Sequence, residues 1–108
     1  IVAGDDDDVG VDDLVNLLCA FTANNFAVTD PLMVSLGAGV YPVGALLNHA
    51  CDANAVITYE PRTHVQAVRA LRDVRAGEEL THHYTDAAEP TPARRASLRA
   101  HYHFRCAC

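Results

Sequence analysis

Leu46-Leu47-Asn48-His49-Ala50-Cys51-Asp52-Ala53-Asn54 packs two asparagines, a histidine and a cysteine into seven positions directly after an apolar run. Amide hydrogen bonding, a titratable ring and a soft metal ligand are thereby gathered in one short loop. A hydrophobic core needs no such mixture, so the loop reads as a site. Downstream, Gly77-Glu78-Glu79-Leu80-Thr81 and Tyr84 form a second cluster of turn, acidic and aromatic residues.

Upstream, Val43 to Leu47 reads as a short apolar turn of helix leading into the loop. Ala55-Val-Ile-Thr-Tyr59 and His64-Val-Gln-Ala-Val-Arg-Ala-Leu71 are β-rich runs separated by Glu60-Pro61-Arg62-Thr63, the pattern of an antiparallel hairpin. Alternation fails in the second run, so a bulge or a strand end is expected near Arg69. Arg75-Ala-Gly77 reads as a turn and Glu79 to His83 as a further strand. Thr91-Pro92 predicts a helix start with proline in its first turn, running over 92–102. Toward the N-terminus, Leu14, Leu17, Leu18 and Phe21 recur at helical spacing behind Asp12 and Asp13, which predicts a helix over 12–23 ended by Asn24-Asn25. Phe26 to Thr29 reads as a brief strand closed by Asp30-Pro31. Gly37-Ala-Gly39-Val-Tyr41-Pro42 reads as a glycine-punctuated loop, since no Lys and no strand-loop-helix context supports a phosphate cradle.

The chain has 108 residues, room for one domain with one modest core. Its net charge of -6 conceals an asymmetry: residues 1–60 hold nine acids and no Arg or Lys, whereas residues 61–108 hold eight Arg against five acids. The acidic half offers long-range steering for a basic peptide, although Asp5 to Asp8 reads more simply as a solvated, disordered run within a lead of residues 1–11. No direct nucleic-acid binding is expected. No run approaches the roughly 18 apolar residues of a membrane span, and the N-terminus has no signal-peptide pattern, so a soluble chain in a reducing compartment is expected. Cys106 and Cys108 suit two corners of a tetrahedral zinc site better than a pair of disulfides, with Cys51 as the third ligand. Cys19 sits on the apolar face of the first predicted helix and reads as a packed thiol. For the fourth ligand, His101 and His103 offer nitrogens, and a residue beyond Cys108 is preferred.

Taken together, Asn48-His-Ala-Cys-Asp-Ala-Asn54, a hairpin, Gly77-Glu-Glu-Leu-Thr-His-His-Tyr84-Thr-Asp86, and then Arg94-Arg95, Leu98, Tyr102, Phe104, Cys106 and Cys108 resemble the C-terminal half of a SET domain with the start of its post-SET segment. Within that superfamily the chain is most similar to the SET and MYND domain-containing (SMYD) group, whose NHSCxPN, GEELTxxY and YxFxCxC elements stand in this order at similar intervals. The resemblance covers residues 12–108. It implies a β-rich α+β fold of short strands and hairpins with flanking helices and a pseudoknot-type C-terminal segment. It also divides the chain into a SET portion over 12–100 and a zinc-binding portion over 101–108.

The resemblance implies an S-adenosylmethionine-dependent protein-lysine N-methyltransferase acting on histone or other protein lysines, nuclear or cytoplasmic, with a structural zinc. Asn48 and His49 match positions that hydrogen-bond S-adenosylmethionine, Asn24 another position near it, and Phe104 an aromatic that packs on the adenine. Tyr84 and Tyr102 match tyrosines of the lysine channel, with Phe26 as a further wall. Cys51, Cys106 and Cys108 match three zinc ligands, the fourth lying past residue 108. His82 and His83 have no family role and read as surface residues.

Methyl transfer to an amine needs alignment of nucleophile, methyl and leaving sulfur around a neutral amine. Aromatic walls disfavour the ammonium, and phenolic hydroxyls orient the lone pair. Two departures stand out: Ala50 replaces the usual serine and Ala53 the usual proline, which removes a φ lock. The family's glycine-rich N-terminal strands and MYND module do not precede residue 12, so the chain reads as an internal segment, inactive alone. The competing reading is a degenerate SET-like, zinc-stabilised module that binds peptide without catalysis.

Overall fold

The computed structural model describes residues 9–108; the expectation of disorder at Asp5 to Asp8 falls outside them. Two helices and three two-stranded sheets make up an α+β fold. Helix α1 spans Val11–Asn24 and begins slightly earlier than its pattern predicts. Gly10 occupies the cap position, where Asp13 reaches back to accept the Gly10 N–H at 3.2 Å. The Asn pair ends the helix chemically, since the Asn24 amide donates to Ala20 O and the Asn25 amide to Phe21 O and Thr22 O. Phe21 O and Thr22 O are among the last four carbonyls that a helix C-terminus otherwise leaves unpaired.

Strand β1 (Asn25–Thr29) pairs antiparallel with β2 (Ser35–Val40), with a register shift between Val28 and Thr29. The hairpin turn is built by Asp30, whose Oδ1 accepts the amides of Leu32 and Val34. Strand β2 corrects the loop expected at Gly37 to Pro42. Gly37-Ala38-Gly39 offers no alternating side chains to read, yet its backbone pairs fully with Phe26 to Val28. Glycine is required at 39 by close approach, because a Cβ there would lie 2.9 Å from the Tyr41 ring.

A 3-10 turn at Gly44–Leu46 delivers the chain into β3 (Asn48–His49), which pairs in parallel with β6 (Thr81–His82). The expected strand at Glu79 to His83 is thus cut to two residues. Strands β4 (Ala55–Tyr59) and β5 (Gln66–Ala70) form the expected hairpin in unbroken register, so the irregularity near Arg69 is a strand end rather than a bulge.

Helix α2 spans Thr91–Tyr102, with Pro92 in its first turn and Leu98 fully buried. It ends at His103 in the left-handed conformation (φ 60°), which reverses the chain and sends Phe104 to Cys108 back toward the Asn48–Asn54 loop. A β-carbon disfavours that conformation by roughly 1–2 kcal/mol, and glycine is the usual residue at such helix ends. His103→Gly is therefore expected to stabilise the fold by about 1 kcal/mol, read as a rise in the urea midpoint at unchanged slope.

The core is small and sits under the loop: Val28, Ala53, Ala55, Leu98 and Cys106 are its buried apolar residues. Among the described residues no element covers the apolar face of α1, where Leu14, Leu17, Leu18 and Phe21 are about half exposed or more. Cys19 is accordingly exposed, correcting the expected packed thiol. No helix among the described residues is long and apolar enough to cross a membrane.

Candidate functional site

Asn54 fixes the loop. Only 2% exposed, it donates from Nδ2 to Glu78 Oε1 (3.1 Å) and Glu79 O (2.8 Å) and accepts the Thr81 N–H at Oδ1 (2.9 Å). Its own carbonyl accepts the Leu71 amide. One side chain thus holds the Gly77–Thr81 segment beside the loop and seeds the β3–β6 pairing. The sequence marks Asn54 only as polar, since its partners lie some two dozen positions downstream.

Glu78 completes the knot. Its carboxylate meets Arg72 at 2.6 Å and accepts the Arg75 N–H at 3.1 Å. The Arg72 hydrogen bond, followed by those of the Arg75 amide and Asn54, lowers its pKa to about 2, against an ordinary 4.5. A depressed carboxylate contributes stability that is fully present above the unfolded-state value and is lost as pH falls through the folded one. Stability is expected to decline as pH drops from about 4.5 toward 2, and Glu78→Gln to flatten that acid limb in pH-dependent urea titrations.

Aromatic rings run in a connected chain through the centre. Tyr59 meets Tyr41, Tyr41 meets Phe26, Phe26 meets His82, and His82 meets Tyr84 at 4.9 Å between ring centres. Tyr84 is the hub, lying 4.7 Å from Tyr102, 5.5 Å from His49 and 6.3 Å from Phe104. Its hydroxyl donates to Leu47 O at 2.8 Å, and the Tyr102 hydroxyl donates to Tyr84 O at 3.4 Å. Burial raises the Tyr84 phenol above its ordinary pKa, with Tyr102 adding to the effect, and burial raises Tyr102 as well. Both remain neutral hydroxyl donors at physiological pH.

Two cavities flank this hub. The first, about 400 Å³, is lined by Asn48, His49, His101, His103 and Phe104 among others. The second, about 670 Å³, is lined by Asn24, Phe26, Tyr59, His82 and Asp86 among others. Ala23, Tyr84 and Tyr102 belong to both, so the tyrosine pair is the partition between them. The structure brings Asn48, His49, Tyr84, Tyr102 and Phe104 together as the sequence grouped them. Asn24 lies apart, on the second cavity with its amide tied to Ala20 O. His82 corrects the surface reading: it is 7% exposed, pinned between Phe26 and Tyr84, and burial is the leading cause that holds its imidazole below the ordinary value. Its neighbours come from β1 and the tail of the Gly77–Tyr84 segment, which no local pattern reveals.

Beyond Phe104 the tail closes on the loop. Sγ of Cys51, Cys106 and Cys108 and a ring nitrogen of His49 all lie within 4.8 Å of one another. Cys51 and Cys106 Sγ are 3.8 Å apart. Zn–S bonds of about 2.3 Å in tetrahedral geometry separate sulfurs by about 3.8 Å, so these thiols fit zinc. Cys108 Sγ accepts the Cys51 N–H at 3.4 Å, and Arg95 holds the Cys108 carbonyl. When bound, zinc would be held by the three cysteines and would tie the tail to the loop.

Two cavities that meet at a tyrosine pair, with a thiol cluster joining the tail to the loop, make up the candidate site of this α+β domain. The SET domain family model matches residues 11–85, and the chain belongs to the SET domain family. N-lysine methyltransferase SMYD2 of Homo sapiens is 36% identical over 97 residues, 90% of this chain and 22% of that protein. Histone-lysine N-methyltransferase SMYD3 of Mus musculus is 38% identical over 96 residues, 89% of this chain and 22% of that protein. N-lysine methyltransferase SMYD2-B of Danio rerio is 38% identical over 95 residues, 88% of this chain and 21% of that protein. The chain spans about a fifth of the length of the curated relatives it matches.

Proposed function

We propose that this chain forms the meeting point of cofactor and substrate in a protein-lysine methyltransferase that uses S-adenosylmethionine. The observation that carries the reading is the pair of cavities divided by Tyr84 and Tyr102. The first cavity's volume of about 400 Å³ suits a small molecule, and the second provides the approach for a lysine side chain. The names of the relatives support the same chemistry.

S-adenosylmethionine, when bound, supplies an electrophilic methyl group on a sulfonium. Phe104 offers a flat apolar face for the adenine, and Asn48, whose Nδ2 donates to Glu79 Oε1 at 2.6 Å, offers its amide oxygen beside the His49 main chain in the same cavity. Asn24, on the second cavity, serves the cofactor only if its amide leaves Ala20 O. On the substrate side Phe26, Tyr102 and the neutral His82 exclude water and disfavour a charged amine. Tyr84 commits its proton to Leu47 O, which leaves its oxygen lone pairs for groups at the partition. Cys51, Cys106 and Cys108 would hold a structural zinc and so keep the tail that carries Phe104 in place. The partner is a lysine-bearing protein, a histone tail or another chain.

Titration calorimetry with S-adenosylmethionine on the full protein tests the reading. Saturable 1:1 binding is expected, weakened roughly tenfold or more by Phe104→Ala through loss of ring contact. Retained zinc with no cofactor binding would instead favour the degenerate peptide-binding module that Ala50 and Ala53 suggest.

A further inference from the structure

The four-residue cluster invites the reading of a three-cysteine, one-histidine zinc site with His49 as the fourth corner. The distance between His49 Nε2 and Cys51 Sγ, 3.4 Å, does not decide the matter. It suits both two ligands of one tetrahedral zinc and an N–H donor on a sulfur acceptor.

The other ring nitrogen decides. The Tyr84 main-chain amide donates its N–H to His49 Nδ1 at 3.1 Å. An amide N–H can only donate, so Nδ1 must present a lone pair and carries no proton. An imidazole ring with one bare nitrogen bears its proton on the other, here Nε2. Zinc on Nε2 would require that proton to move to Nδ1, where it would face the Tyr84 N–H donor to donor. Turning the ring over would put carbon atoms at both contacts and lose both interactions.

From this geometry we propose that His49 is not a zinc ligand but a positioning residue that donates Nε2–H to the Cys51 thiolate. The inference rests on the reading of Cys51, Cys106 and Cys108 as a metal clip. It creates a continuous relay, Tyr84 amide to His49 ring to Cys51 sulfur, linking the hub of the two cavities to the clip. Both ring nitrogens are engaged within the protein, so His49 offers the first cavity its ring face and main chain rather than a free nitrogen. The metal's fourth position is left to a different ligand. Hydrogen bonds of this kind orient metal ligands, and their removal typically lowers metal affinity about 10–100-fold.

Nitrogen NMR of the full protein labelled with 15N-histidine, loaded with zinc and separately with 113Cd, tests the assignment. The expected His49 signature is a pyrrole-type Nε2 with a directly attached proton, a pyridine-type Nδ1, and no 113Cd coupling to either. A pyridine-type Nε2 coupled to 113Cd would overturn the proposal. His49→Ala, which removes the donor, should keep one zinc per chain while lowering affinity 10–100-fold; complete loss of zinc from a folded variant would also count against it. If the wild-type protein takes up no zinc, the clip reading fails by itself. The tautomer in the metal-free protein then still decides the hydrogen bond, with a proton on Nδ1 as the overturning result.

Discussion

Cys51→Ser is expected to abolish stoichiometric zinc binding and to unfold the C-terminal tail. Residues after His103 form no helix or strand, so little regular hydrogen bonding holds them. What holds them is the thiol cluster, the Cys51 N–H on Cys108 Sγ and the Arg95 contact with the Cys108 carbonyl. A structural zinc contributes binding energy of about 10–16 kcal/mol in small zinc-folded domains, and that energy is folding energy. Removing one of three thiolates from the site should therefore exceed the effect of any single core substitution here, where the buried apolar set is so small. Metal analysis should fall from one zinc per chain to near zero, and thermal melting should shift down by many degrees. Cofactor binding should fall with it, because Phe104 sits between α2 and the clip and lines the first cavity. Cys19→Ser is the control: that thiol is exposed, outside the cluster, and should change none of these readouts. Unchanged zinc content in Cys51→Ser would refute the clip.

How far the sequence could be read depends on where each residue's partners lie. Helix α1, the β4–β5 hairpin and α2 were legible because their signals are local: Leu spacing, Pro-punctuated turns and Thr91-Pro92. The burial of α1 was not legible, since amphipathic spacing shows which face is apolar but not whether anything covers it. Strand β2 escaped notice because Gly37-Ala38-Gly39 pairs through backbone alone. In the site, the three cysteines and the Asn48, His49, Tyr84, Tyr102 and Phe104 group were suggested by ordered motifs, and the structure gathers each set. Asn54 was singled out with the loop but given no role, and His82 was read as a surface residue, for one reason: each is made important by neighbours from distant segments. The same applies to His49, whose residue type suggests a ligand or a cofactor contact and whose Nδ1 partner, the Tyr84 amide, lies 35 positions downstream.

Tyr84→Phe is expected to lower methyl transfer by about 10²–10³-fold in the full protein while leaving S-adenosylmethionine affinity within roughly threefold. The substitution keeps the ring, and with it the contacts to Tyr102, His49, His82 and Phe104 that form the partition. It removes only the hydroxyl and its bond to Leu47 O, about 1 kcal/mol of ordinary hydrogen-bond stability. A loss of rate much larger than that stability cost would mean that the oxygen acts on the reacting groups. The effect should fall on kcat rather than on KM, since the ring that shapes both cavities is intact. Tyr102→Phe provides the comparison, because its hydroxyl is bonded to the Tyr84 carbonyl at 3.4 Å and so supports the hub's backbone. A smaller loss is expected there. Transfer should also rise with pH as the substrate lysine, ordinarily near pKa 10.4, gives up its proton, because only the neutral amine has a lone pair to attack the methyl. If Tyr84→Phe retains transfer within threefold of the natural protein, the tyrosine is a wall and not a participant. The catalytic role would then have to be sought in the carbonyl of Leu47, the other oxygen at the same point of the partition.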